Sequence, residues 1–181
     1  YAGYRWSSPA SWVWDDISTT GTPIPLGDDQ TSAAVSIGFP YFFYGVRRTD
    51  AFVSSNGFVT FIAGQTDGCC SGRESPSTGS PNGLLAAFWD DLDPSAGGDV
   101  RHQTIGTAPQ RRFVVQFSSV PHFGSQLRAT FQIVLFEGRG DAELRCLDCP
   151  SDGGRHAIGF ENARGNIGLG IRIGDLPLTR A

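Results

Sequence analysis

The chain has 181 residues, 39% of them hydrophobic and 18% charged, enough for one domain with a packed core and too apolar for a disordered polymer. Its 14 basic residues are all arginine, against 18 acidic ones, and a net charge of −4 argues against a sequence-blind nucleic-acid binder, which needs a basic stripe. The lack of lysine excludes Schiff-base chemistry, pyridoxal phosphate attachment, a Walker-type phosphate lysine and lysine–asparagine cross-links.

No apolar run approaches the ~20 residues that span a bilayer. There is no methionine either, so Tyr1 is not a translation start and a processed chain, trimmed of a secretion signal, is expected. Residues 1–14 carry Tyr1, Tyr4, Trp6, Trp12 and Trp14, too many large rings to leave in water. Gly3 and Pro9 argue against a helix, so this segment reads as an extended aromatic arm. It packs on its own domain, or it acts as a donor strand for a neighbour and so builds a fibre.

Residues 15–181 read as a single domain of short strands separated by Gly, Pro, Asp and Ser clusters, with 24 glycines and 11 prolines to discourage long helices. The candidate strands are 35–43, 51–54, 57–62, 84–89, 100–105, 112–120, 129–136, 142–146, 156–161 and 167–173. The last alternates cleanly: Ile167, Leu169, Ile171 and Ile173 face one way, the period of a half-buried strand. Ser55-Asn56-Gly57-Phe58 signals a tight hairpin, because Asn-Gly tolerates the positive φ of a type I′ turn. About ten such strands predict an all-β fold, an antiparallel β-sandwich or jelly roll.

Residues 65–82 form a Ser/Gly/Pro-rich insertion that carries Cys69 and Cys70; the other two cysteines are Cys146 and Cys149. Four thiols allow three disulfide connectivities. Bridges between the two clusters would close loops of roughly 76 residues and contribute about 4 kcal/mol, pinning an insertion that has no core of its own. A vicinal Cys69–Cys70 bond and a local Cys146–Cys149 bond gain much less loop entropy. The Cys-x-x-Cys spacing also suits zinc or a redox pair. Neighbouring side chains diverge in extended backbone, however, and the motif opens no helix. Oxidised cysteines in an extracellular setting are therefore expected.

The acidic turn Asp90-Asp91-Leu92-Asp93 crowds three carboxylates at a strand end. Such carboxylates repel one another unless a cation or backbone N–H groups gather them, so Asp90, Asp91 and Asp93 are candidate Ca²⁺ ligands. The alternative is Asx-turn chemistry, in which they bond their own turn amides. The stretch departs from the EF-hand pattern at its twelfth position, which is His102. Neither the three histidines, His102, His122 and His156, nor the four glutamates stand in a catalytic motif. No cofactor beyond Ca²⁺ is expected.

Several stretches together resemble the nidogen-type (NIDO-like) extracellular domain and its relatives in secreted bacterial surface proteins. They are Phe39-Pro40-Tyr41-Phe42-Phe43-Tyr44-Gly45, Val53-Ser54-Ser55-Asn56-Gly57-Phe58-Val59-Thr60-Phe61, the run Asn82 to Asp93 containing Phe88-Trp89-Asp90-Asp91-Leu92-Asp93, Arg112-Phe113-Val114-Val115-Gln116-Phe117, Thr130 to Phe136, and Ile158-Gly159-Phe160-Glu161-Asn162. The resemblance covers roughly residues 35–162 and implies an extracellular, non-catalytic β-rich module of adhesion and matrix proteins, with no catalytic residues to transfer. The expected function is structural or adhesive, as a self-associating fibre or array subunit or a partner of other extracellular proteins. The alternative is a cation-assisted glycan-binding module, and an enzyme is the least favoured class.

Overall fold

A computed structural model of the chain describes residues 4–7, 11–65, 68–174 and 178–179, with backbone alone at 172–174 and 178–179. The fold is all-β. Its strands in chain order are β1 (Thr22–Pro23), β2 (Val35–Phe43), β3 (Val46–Val53), β4 (Phe58–Thr60), β5 (Leu84–Trp89), β6 (Asp99–Ile105), β7 (Arg112–Pro121), β8 (Arg128–Phe136), β9 (Ala142–Cys149), β10 (His156–Glu161), β11 (Gly168–Gly174) and β12 (Leu178–Thr179). One 3₁₀ turn, Pro94–Ala96, is the only helical segment among the described residues.

Two six-stranded antiparallel sheets form a sandwich, one ordered β1-β6-β7-β8-β9-β12 and the other β11-β10-β5-β4-β3-β2. Period-two alternation drives Ile37, Phe39, Tyr41 and Phe43 of β2 inward, where they meet Phe113, Val115 and Phe117 of β7 and Phe131, Ile133 and Leu135 of β8. Leu169 and Ile171 pack on the same core while Ile167 stays half exposed; the side chain of Ile173 lies outside the described set.

The central strands read as unbroken apolar runs because both of their faces are covered. On the outer face of the first sheet, residues 12–20 lie across β7 and β8, and Ile17 packs on Val114 and Val134. On the outer face of the second, Phe58, Leu84, Ala86, Trp89 and Ala157 form a separate cluster beneath residues 68–81. Gly68 accepts a hydrogen bond from Trp89 Nε1 at 2.8 Å, and the Arg73 guanidinium sits 5.4 Å above the indole.

The cysteines take one of the three pairings that the sequence left open. Cys69 is bonded to Cys70, and Cys146 to Cys149, with no free cysteine. The insertion lies outside the second sheet, whereas Cys146 and Cys149 belong to β9 of the first, so the hydrophobic core separates the clusters. The Cys146–Cys149 bond spans a bulge at which Leu147 has no partner on β8. Hydrogen bonds and the Trp89 contact, not a long-range bridge, hold the insertion down.

The turn chemistry is also redistributed. The segment from Ser54 to Phe58 connects β3 and β4, but only Gly57 has positive φ, at 82°, and its N–H bonds Ser54 O at 3.3 Å. That is a type I turn followed by a left-handed glycine, not the expected type I′. The two-residue turn with both φ values positive falls instead at Tyr44 and Gly45, between β2 and β3. A Cβ on Gly57 would come within 2.0 Å of the Phe88 carbonyl oxygen. Gly57→Ala is therefore expected to cost roughly 2–4 kcal/mol, the sum of a left-handed φ and an overpacked contact. Urea denaturation measures this; a loss below about 1 kcal/mol would mean the turn relaxes freely.

A candidate cation-binding pole

The loops at one end of the sandwich gather most of the acidic groups that the sequence singles out. Asp90 to Asp93 follow β5 and run antiparallel to residues 121–123, at the end of β7: Asp93 N donates to Pro121 O at 2.9 Å and Phe123 N to Asp91 O at 2.8 Å. Asn56, fully buried, ties this segment to its surroundings. Its Oδ1 accepts from Leu92 N at 3.0 Å, and its Nδ2 donates to Asp29 Oδ1 at 2.8 Å and to Gly68 O at 3.1 Å. The sequence marks Asn56 only as a turn residue; these long-range bonds have no local signature.

Asp90, Asp91 and Asp93 do not converge on one point: Asp90 and Asp91, neighbours on extended backbone, point to opposite sides. Asp93 turns back to cap the 3₁₀ turn, accepting from Ser95 N at 2.9 Å and Ser95 Oγ at 2.5 Å. Asp91 groups with Asp28 and Asp29, its carboxylate oxygen within 4.8 Å of theirs. Asp90 turns the other way, into a second group with His122 and Asp152 of the same dimension. The crowding at Asp90, Asp91 and Asp93 is thus split between two groups and a cap. Asp28, Asp29, His122 and Asp152 were not foreseen as partners, since they come from three other loops.

Burial sets the electrostatics of this pole. It pushes the Asp90 carboxyl up to about 7, reinforced by Asp152 and Asp91 and opposed by the Asp91 N–H that bonds its Oδ1 at 2.9 Å. Asp91 is pushed up to about 6, by burial first and then by Asp29, Asp28, Asp152 and Asp93. Burial holds the His122 imidazole below its ordinary value, against the charge of Asp152 and a weaker contact to the Pro150 carbonyl. Carboxylates that resist ionisation in this way are relieved by a nearby cation, so either group is chemically able to hold one.

The other singled-out residues lie elsewhere. Tyr4 packs in cis, its ring 4.8 Å from Tyr44 and 5.4 Å from Phe160, while its hydroxyl donates to Phe42 O at 3.3 Å and accepts from Tyr44 N at 3.0 Å. Trp12 and Trp14 meet at a tilt, their rings 6.1 Å apart, and are half-buried, whereas Trp6 is 52% exposed. Tyr1 lies outside the described residues. Among the described residues no helix is long and apolar enough to cross a membrane.

The profile of one protein family, described as NIDO related, matches residues 3–173. No curated protein and no solved structure matches the chain.

Proposed function

Since the chain belongs to the NIDO-related family, we propose that it is a non-catalytic structural or adhesive module of the extracellular space, a building block of a cell-surface fibre or array. The observation supporting this reading is that both outer faces of the sandwich are already covered by the chain's own segments, residues 12–20 and 68–81. Edges and loop ends are then the surfaces left for partners. Phe42 and Val46, each 49% exposed, sit at the hairpin of the edge strand β2, where a pair of exposed apolar side chains favours lateral association. Light scattering after size exclusion, with negative-stain microscopy of concentrated native protein, tests the reading. Concentration-dependent association that Phe42→Ser weakens supports it; a monomer at every concentration overturns it.

One observation favours a second reading, a cation-assisted glycan-binding module. Phe123, 55% exposed, is held against the acidic pole by its own N–H on Asp91 O. An open ring beside carboxylates suits a sugar face and its hydroxyls. A monomer that binds immobilised glycans, and releases them with chelator, would select this reading instead.

A further inference from the structure

We propose that Asp90, His122 and Asp152 form a binding site for a single divalent transition cation of the zinc class, separate from the all-oxygen group of Asp28, Asp29 and Asp91. The three residues come from the loops after β5, after β7 and between β9 and β10, so an ion held among them ties the two sheets together at one end of the sandwich.

The geometry is that of a ligand set. His122 Nδ1 lies 3.4 Å from Asp90 Oδ2 and 3.7 Å from Asp152 Oδ2. Zinc bonds to nitrogen and oxygen are about 2.0–2.1 Å long, which places neighbouring ligands of a tetrahedron about 3.3–3.4 Å apart. Both distances from His122 lie within a few tenths of an ångström of that spacing, and the Asp90 and Asp152 carboxylates lie within 4.8 Å of each other.

A second, independent observation is the state of the buried polar atoms. Asp90 is 2% exposed and His122 1% exposed, yet Asp90 Oδ2 makes no hydrogen bond, and the imidazole nitrogens make none beyond a loose contact with the Pro150 carbonyl. Buried polar atoms are seldom left so, and Asp90 Oδ2 and His122 Nδ1 face each other at 3.4 Å across the proposed site. One divalent ion would satisfy Asp90 Oδ2 and His122 Nδ1 together and neutralise the two carboxylates.

The donor chemistry decides the class of ion. An imidazole nitrogen with two carboxylates suits zinc or its transition-metal neighbours, whereas Ca²⁺ takes six to eight oxygens. The Asp152 side chain is 27% exposed, so the ion enters from that side and its fourth position faces water or a donor from a partner.

Equilibrium dialysis of the full chain against Zn²⁺, and visible spectroscopy with Co²⁺ as its coloured substitute, test the site. The expected result is one equivalent of Zn²⁺ bound, a rise in Tm, and Co²⁺ bands of a four- or five-coordinate site. Asp152→Asn, at an exposed position that the core does not need, should weaken Zn²⁺ binding by about tenfold or more, and His122→Gln should do the same. The paired Asp28→Asn and Asp29→Asn changes should leave it unaltered. No uptake by the wild type, uptake indifferent to Asp152→Asn, or uptake lost with Asp28 and Asp29 would each overturn the proposal.

Discussion

Replacing Asp15 with asparagine is expected to destabilise the domain by about 3 kcal/mol, because it removes the carboxylate shared by Arg112 and the buried Arg145 and leaves Arg145 only the more exposed Glu143 as counter-charge. Asp15 belongs to the segment 12–20 that covers the outer face of the first sheet. Its carboxylate accepts from Arg112 Nε at 2.7 Å and Arg112 Nη2 at 2.5 Å on one side, and from Arg145 Nη1 at 2.8 Å on the other. Arg145 is itself only 5% exposed. The Asp15 carbonyl accepts from Gln132 Nε2 at 2.7 Å, and Gln116 Oε1 accepts from Ile17 N at 3.1 Å. This network fastens the segment from Asp15 to Ile17 to β7, β8 and β9.

The pH dependence follows with a definite sign. Burial alone would raise the Asp15 pKa, but the hydrogen bonds and charges of Arg112 and Arg145 outweigh it and hold the group below its ordinary value. A carboxylate with a lowered folded pKa stabilises the fold above its unfolded pKa, and that contribution is lost as pH falls through the folded value. The gap between wild type and Asp15→Asn in urea denaturation should therefore be full above about pH 5 and shrink toward pH 2. Two stability curves that run parallel across that range would show that the ion pair contributes nothing beyond packing.

Trp89→Ala should be comparably damaging, at about 3–5 kcal/mol, or roughly 6–20 °C in Tm for a domain of this size. The indole is 2% exposed, lies 4.9 Å from the Phe58 ring and holds Gly68 O through Nε1. Its loss empties the cluster between the second sheet and residues 68–81, so limited proteolysis should then cut within 65–82. Reduction of both disulfides offers the contrasting result. The vicinal bond closes almost no loop, and the Cys146–Cys149 bond closes so short a loop that it contributes only about 2 kcal/mol. Dithiothreitol should accordingly lower Tm less than Trp89→Ala does and leave residues 65–82 protected. The reverse order would mean that the cysteines, not the indole, secure the insertion.

Much of the architecture was legible in short windows of sequence. Strands β2, β5 and β10 begin and end where alternation and flanking Gly, Pro and Asn place them, and the sandwich follows from the run of short strands. The first half of β3 was not legible: Val46-Arg47-Arg48-Thr49-Asp50 pairs with β2 while mostly exposed, so it has no apolar stripe to announce it. The two-residue strands β1 and β12 are too short to carry a period. The displaced type I′ turn shows the same limit. Asn56-Gly57 had the stronger local signal, but the Phe88 carbonyl beside Gly57 and the three side-chain hydrogen bonds of Asn56 dictated the conformation there.

By itself the sequence determined that this is a lysine-free, acidic, all-β domain with paired cysteines and a crowded acidic turn, because composition and period-two alternation act over a few neighbouring residues. Only the tertiary structure decided which cysteines pair, which carboxylates converge and which histidine joins them. Those outcomes depend on contacts such as Asp15 with Arg145, 130 residues apart, and Asp90 with His122 across two loops. The alternation of side chains sent Asp90 and Asp91 to different partners, and the intervening core kept Cys69 and Cys70 from Cys146 and Cys149. Local pattern carries neither piece of information, since each is set by which loops the sheet order brings to the same end of the sandwich.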